Sequence, residues 1–187
     1  MMNANTRVKL LAIVGSVVAL VAAGVAGKAL TADVRPVRPG SKAPDFRAVN
    51  LATGDTVSLR DYAGDVVLLN IWATWCAPCE VEMPSMQRLH ELLGPSGLKI
   101  VAISIDAEES EFVTRWAEER GLTFDILHDQ RGTIAVDYQA TGQPESYVID
   151  REGVIVRKVW GAVEWDEPVE SAVFRRLLGL PEPNGEG

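Results

Sequence analysis

Apolar and polar residues alternate along the chain in blocks that predict strands and helices. Two short apolar runs, residues 66–72 and 99–106, are rich in β-branched residues, which is typical of parallel strands buried on both faces. Shorter runs joined by turn residues predict two β-hairpins, and residues 124–127 predict an edge strand. The hairpin strands cover residues 46–51 with 56–59 and residues 146–150 with 154–160.

Helical spacing of apolar residues predicts the remaining elements. Between residues 83 and 93 four apolar side chains recur every three or four positions, so a helix is expected over residues 77–93, ended by Gly94. Further helical segments are expected over residues 108–120, 133–138 and 166–178. The resulting order, β–β–β–α–β–α–β–α–β–β–α, predicts an α/β fold whose central mixed sheet carries helices on both faces.

The amino-terminal segment predicts where the protein resides. Residues 10–27 contain 18 residues without a charge, and a helix of that length spans ~27 Å, close to the thickness of a bilayer core. Arg7 and Lys9 precede this segment, so the positive-inside rule places the amino terminus in the cytoplasm and the domain outside. We expect an uncleaved single-pass transmembrane anchor; a signal peptide cleaved near Ala32 is the alternative.

This segment defines the expected domain organisation. Residues 1–9 form a short cytoplasmic amino terminus and residues 10–27 the transmembrane anchor. Residues 28–43 contain proline, glycine and scattered charges, which favours an extended linker. One folded domain is expected over residues 44–180, followed by a tail over residues 181–187.

Charge and cysteine content exclude several classes of protein. The 187 residues carry a formal net charge of -8, and all 26 acidic side chains lie after residue 30, so nucleic-acid binding is not expected. The two cysteines, Cys76 and Cys79, form a single C-x-x-C motif, which excludes a disulfide-rich scaffold.

The C-x-x-C motif lies where a buried strand gives way to a helix. Cys76 is expected at the helix amino terminus, where free N–H groups and the helix dipole favour a thiolate. Pro78 falls in the first turn, where its missing N–H costs little, and Cys79 lies on the same helix face as Cys76. The motif therefore predicts a redox-active disulfide as the only prosthetic chemistry, with no metal and no other cofactor.

Three other interpretations of the motif are weaker. A buried, unreactive pair of thiols does not suit the junction of a strand and a helix. A purely structural disulfide would close a very short loop, which gives little stabilisation. A zinc site needs two further ligands, but the two histidines, His90 and His128, are 38 residues apart and have no finger-like spacing.

Around this motif the sequence resembles the membrane-anchored thioredoxin-like proteins of the TlpA/ResA type. The resemblance rests on APDF, LLNIWATWCAPC and VAISID between residues 43 and 106, and on QPESYVID at residues 143–150. It implies a thioredoxin-like fold and thiol–disulfide exchange with disulfide-bearing protein substrates. Because the chain has one dithiol only, a transmembrane thiol-reductase electron donor is implied as a further partner.

The resemblance also implies roles for residues around the cysteines. Pro144 matches the family's cis-proline, which packs beside the cysteines and, with Gln143, pairs with an incoming peptide. Trp75, directly before Cys76, and Pro78, between the two cysteines, are expected to position the substrate. Glu145 after Pro144 is similar to the cytochrome c maturation (CcmG/DsbE) branch, whose substrate is apocytochrome c.

Glu82 is the expected acid–base group. It lies three residues after Cys79 and matches the glutamate of the family's CxxCxxE pattern, so a partly buried carboxyl with a raised pKa is expected to relay protons to Cys79. Asn70 stands where ordinary thioredoxin has a buried aspartate, and it is expected to be a hydrogen-bonded core amide. Trp72 is expected in the core. No function is assigned to the other tryptophans, Trp116, Trp160 and Trp165.

Other functions remain open at this point. A thiol peroxidase would need Pro-x-x-x-Thr-x-x-Cys, but Leu69 and Trp72 stand seven residues before the two cysteines. A copper-binding thiol chaperone would use both thiolates, although no Met or His cluster supports it. A protein-oxidising enzyme of the DsbA kind has the same chemistry with a different reduction potential.

Overall fold

A computed structural model describes residues 13–18 and 36–182. The chain divides into two units, residues 1–35 and residues 36–187. In the first unit residues 13–18 are helical. Within the described ranges no helix is long and apolar enough to cross a bilayer, and the predicted anchor, residues 10–27, lies largely outside them.

The second unit is built on one seven-stranded mixed sheet. The strands are β1 (Arg47–Asn50), β2 (Thr56–Ser58), β3 (Val66–Trp72), β4 (Leu98–Ser104), β5 (Asp125–His128), β6 (Glu145–Ile149) and β7 (Ile155–Trp160). They lie in the order β2-β1-β5-β4-β3-β6-β7. Strands β3, β4 and β5 are parallel, and the other pairings are antiparallel.

Helices cover both faces of the sheet, which confirms the α/β prediction. All seven residues of β3 are buried, because its alternating side chains enter two separate apolar clusters. The helices are α1 (Ala77–Leu93), α2 (Ser110–Glu119), α3 (Thr133–Asp137) and α4 (Pro168–Leu178), and 3-10 turns occupy Leu59–Tyr62 and Gly94–Ser96. The cluster on one face contains side chains from α1, α2 and α4, whereas the other contains Ile134 of α3.

The predicted edge strand is an internal strand, so that prediction was wrong. β5 lies between β4 and β1, and Val49 of β1 pairs with His128. The Asn50 side chain also donates to the Asp125 carboxylate at 3.0 Å. The amino-terminal hairpin therefore covers β5, and this long-range pairing leaves no local pattern in residues 124–127.

The described end of the predicted linker packs on the domain. Gly40 donates to the carbonyl of Ile155 at 2.8 Å, and Ile155 donates to the carbonyl of Ser41 at 2.9 Å. Val37 is buried in the core cluster on that face. Residues 36–43 thus line the outer edge of β7, and the packed unit begins before residue 44.

Candidate active site

The C-x-x-C motif lies at the carboxyl end of β3, where the chain turns into α1. Cys76 is the N-cap residue of α1, and its sulfur accepts a hydrogen bond from the backbone N–H of Cys79 at 3.2 Å. Pro78 lies in the first turn, as predicted, where a missing N–H leaves no helical hydrogen bond unmade. The helix start therefore directs the N–H of Cys79 at the sulfur of Cys76, which favours its thiolate form.

Cys76 and Cys79 are joined by a disulfide with an S–S distance of 2.04 Å. Cys76 is 5% exposed and Cys79 is fully buried. An external sulfur atom can therefore reach Cys76 more easily than Cys79.

A buried carboxylate holds the loop before Cys76. Asp106, just beyond the end of β4, accepts the backbone N–H of Thr74 at 2.9 Å and the Thr74 hydroxyl at 2.5 Å. The hydroxyl of Ser104 also donates to Asp106 at 2.6 Å. These bonds fix the turn that presents Trp75 and Cys76.

The Gln143–Pro144 peptide bond is cis, as the family resemblance implies. Glu145 pairs with Ile71, so Pro144 lies opposite the last residue of β3, at the same end of the sheet as the cysteines. The carbonyl of Pro144 accepts the N–H of Gly161 at 2.8 Å. Among the described residues no hydrogen bond involves the backbone of Gln143, so its N–H and C=O are free to pair with another chain.

Two large aromatic side chains are exposed at this edge. Trp75, directly before Cys76, is 63% exposed, and Trp160, at the end of β7, is 71% exposed. A Cβ atom on Gly142 would lie only 2.7 Å from the indole nitrogen of Trp160. The indole therefore packs directly against this glycine. Exposed aromatics at one sheet edge are typical of a surface that binds another protein.

Glu82 is buried one helical turn after Cys79, with only 1% of its surface exposed. Its carboxylate accepts three N–H donors: the Asn70 amide at 3.1 Å, the Val163 backbone at 3.3 Å and the Trp165 indole at 2.5 Å. Burial raises the pKa of Glu82 to about 7 even though all three donors lower it. A carboxyl with that pKa can both give and take a proton at neutral pH.

Asn70 is a buried core amide, as predicted. Its side-chain N–H₂ group donates to Glu82 and, at 2.8 Å, to the hydroxyl of Ser146. Trp72 is also fully buried, as predicted, and packs against Trp116 with ring centroids 4.9 Å apart and the rings tilted by 39°.

Comparison with known proteins identifies the family. A model of the AhpC/TSA family matches residues 39–158. The thiol-disulfide oxidoreductase ResA of Oceanobacillus iheyensis is 39% identical over 137 residues, which cover 72% of this chain and 71% of that protein. The chain belongs to the ResA-type redoxins of the AhpC/TSA family.

Two further relatives agree with this assignment. The thioredoxin-like protein YneN of Bacillus subtilis is 43% identical over 121 residues, 64% of this chain and 69% of YneN. A crystal structure of a candidate thiol:disulfide interchange protein DsbE from Chlorobium tepidum has a TM-score of 0.69 at 29% identity, covering 75% of this chain and 99% of that one. The ResA-type chain described here has a thioredoxin-like fold and is a protein thiol–disulfide oxidoreductase.

One predicted substrate-positioning side chain in this ResA-type site faces inwards. Glu145 is buried, and its carboxylate is bound by Lys158 at 2.8 Å, by the Tyr147 hydroxyl at 2.8 Å and by the Thr141 backbone at 2.8 Å. Burial alone would raise the pKa of Glu145, but these partners outweigh it and lower the pKa. The side chain of Glu145 therefore supports the cis-proline loop from within.

Sequence reasoning missed three residues of the ResA-type site. The sequence gives no functional signal for Trp165 and Trp160, although Trp165 binds Glu82 and Trp160 packs on the cis-proline loop. The apolar run predicts Asp106 only as the end of a strand, yet this residue holds the turn before the cysteines. An acid ending a buried strand is a signal for Asp106, whereas no spacing in the sequence connects residues 82 and 165. No cluster of metal-ligating side chains occurs in residues 13–18 and 36–182.

Proposed function

We propose that this chain reduces disulfides of extracytoplasmic proteins, with Cys76 as nucleophile and Cys79 as resolving thiol. The observation that carries the proposal is the order of the two sulfurs at the start of α1. Cys76 caps the helix and is the more accessible, whereas Cys79 is buried one turn before the buried acid Glu82.

The first step is nucleophilic attack by the Cys76 thiolate on a substrate disulfide. A bond forms between the Cys76 sulfur and one substrate sulfur, and the substrate S–S bond breaks. The second substrate sulfur leaves as a thiolate and takes up a proton. The Cys79 N–H, which points at the Cys76 sulfur, stabilises the attacking thiolate.

The second step is resolution of the mixed disulfide. Glu82, as carboxylate, accepts the proton of the Cys79 thiol, and the Cys79 thiolate attacks the Cys76 sulfur. The bond between the Cys76 sulfur and the substrate breaks, the substrate sulfur leaves as a thiolate and takes up a proton, and Glu82 returns its proton to solvent. The substrate has gained two electrons and two protons, and the chain carries the Cys76–Cys79 disulfide.

The substrate segment is proposed to bind at the cis-proline edge. The free backbone of Gln143 supports strand-like pairing with an extended peptide beside Pro144. Trp75 and Trp160, both exposed there, supply apolar contacts on either side of such a peptide. The haem-site cysteines of apocytochrome c are proposed as the substrate disulfide, on the strength of the Pro144-Glu145 pair.

The chain is proposed to work as a membrane-anchored enzyme on the outer side of the membrane. Residues 10–27 supply the anchor, with the amino terminus in the cytoplasm, because Arg7 and Lys9 precede the apolar segment. Since the chain holds two cysteines in total, a transmembrane thiol reductase has to return the electrons to Cys79 and Cys76.

Trapping of mixed disulfides tests the assignment of the two sulfurs. The reduced full-length Cys79→Ser variant, incubated with insulin whose disulfides are intact, should accumulate a covalent adduct that reductant releases, because no thiol resolves it. Cys76→Ser should accumulate at least tenfold less adduct, since its remaining thiol is fully buried. Equal trapping by both variants would contradict the proposal.

A further inference from the structure

The segment after β7 is attached to α1 along one face of the helix. Glu82, Ser85 and Arg88 are spaced three residues apart and therefore share this face. Glu82 accepts the N–H of Val163, and Arg88 binds Asp166 at 2.6 Å. Residues 163–166 are thereby held beside the helix turn that carries the buried acid.

Trp165 is the centre of this attachment. Its backbone N–H donates to the Ser85 hydroxyl at 3.1 Å, and that hydroxyl lies within hydrogen-bond distance of two backbone carbonyls, that of Glu82 at 2.8 Å and that of Val163 at 3.0 Å. Its ring is fully buried and meets Phe174 of α4 edge-on, with centroids 5.9 Å apart. The indole therefore has a fixed orientation, and its N–H points at one oxygen of Glu82.

We propose that Trp165 is a positioning residue for Glu82, whose indole N–H orients the carboxylate and sets the pH at which it exchanges its proton. This inference rests on the proposed proton relay through Glu82. Asn70 holds the other carboxylate oxygen, so the two side chains together fix the plane of the carboxylate. A hydrogen bond from a buried N–H favours the ionised form, and its loss raises the pKa of the acid.

The charged groups around Glu82 do not mask the effect of the Trp165 indole N–H on the ionisation of its carboxyl group. Cys79 lies one turn earlier on the same helix, and Glu164 in the attached segment disfavours the ionised form of Glu82. Glu164 is itself paired with Arg88 at 3.3 Å. The guanidinium of Arg157 on β7 lies 5.8 Å from the Trp165 ring centroid, and β3 and β6 present the neutral groups of Asn70 and Ser146.

Replacement of the indole by a ring without a donor tests the proposal. In full-length oxidised Trp165→Phe, solubilised in detergent, the carbon-13 resonance of the Glu82 carboxyl should titrate about one pH unit higher than in the unaltered chain, because one hydrogen bond to the carboxylate is lost. The resonance is identified by its absence from Glu82→Gln. Trp72→Phe is the matched control, because its buried indole nitrogen has no hydrogen-bond partner among the described residues, and the Glu82 midpoint should not move.

A second measurement separates a positioning role from a structural one. In the Glu82→Gln background, Trp165→Phe should slow disulfide reduction by less than twofold further, since Trp165 acts through the carboxylate. If Trp165→Phe does not fold, benzothienylalanine at position 165 keeps the ring shape and replaces the N–H by sulfur.

An unchanged or lower Glu82 midpoint in a folded variant would overturn the inference. The titration uses the oxidised chain without substrate, so its result does not depend on whether the chain reduces protein disulfides. Failure of the proposed function would instead be seen as an inactive unaltered chain.

Discussion

At the scale of single residues, burial sets the proton affinity of one carboxyl group, that of Glu82. Glu82 is almost inaccessible, and its three N–H donors only partly offset the cost of burying a charge, so its pKa rises to about 7. A thiolate at Cys79, one turn earlier, would raise that pKa further by like-charge repulsion. The two groups then titrate as a coupled pair.

Glu82→Gln keeps the side-chain shape and removes the proton carrier. We expect disulfide reduction to slow by roughly tenfold to a thousandfold, the usual contribution of general acid–base catalysis. The apparent pKa of the Cys79 thiol should fall, because the negative charge of Glu82 is lost. The rate is measured by stopped-flow reduction of a protein disulfide, and the thiol pKa by pH-dependent alkylation. The matched control is Glu80→Gln, an exposed acid paired with Arg120, which should alter the rate by less than twofold.

The same variant also changes how stability depends on pH. In the oxidised chain, native Glu82 keeps its proton between about pH 4.5 and 7 while the unfolded chain has lost it. The free energy of unfolding therefore falls as pH rises through this window, by up to about 3 kcal/mol. Glu82→Gln should remove this slope in urea unfolding. An unchanged rate and an unchanged slope would place Glu82 outside the proton relay.

At the scale of secondary-structure elements, local pattern predicted what is locally determined. The bounds of β3 and α1 agree with the sequence prediction, because a continuous apolar run and a regular helical spacing are both local signals. The internal position of β5 and the packing of residues 36–43 on β7 depend on partners distant in sequence. Periodicity carries no information about such partners.

The candidate site divides in the same way. The motif identifies Cys76 and Cys79, and the resemblance to the family's CxxCxxE pattern identifies Glu82. The indole donor of Trp165 comes from a segment 83 residues away in sequence. Only the folded chain brings the Trp165 indole next to α1, so no pattern in the sequence connects Trp165 with Glu82.

The amino-terminal element remains a prediction that fractionation can test. With residues 10–27 retained as an anchor, the full-length chain should stay in membranes washed with alkaline carbonate, because an apolar span of ~27 Å resists extraction. A variant lacking residues 10–27 is the control and should appear in the soluble fraction. A soluble natural form beginning near Asp33 would show instead that the segment is a cleaved signal.

At the scale of the whole molecule, the sheet brings functional residues from distant parts of the chain together at one end of its strands. The cysteines follow the carboxyl end of β3, Asp106 just beyond β4 holds their loop, and the cis-proline directly precedes β6. The segment after β7 binds both the cis-proline carbonyl and the buried acid. The cysteines, the cis-proline and the buried acid are thus held by one frame.

The reduction potential of the Cys76–Cys79 pair tests the central claim most directly. It is measured on the full-length chain by equilibration with glutathione or dithiothreitol buffers and quantification of the free thiols. A reductase of protein disulfides should have a potential of about -200 mV or lower, towards the thioredoxin value of about -270 mV. A potential near about -120 mV, the value of the oxidant DsbA, would contradict the account, because the chain would then oxidise its substrates.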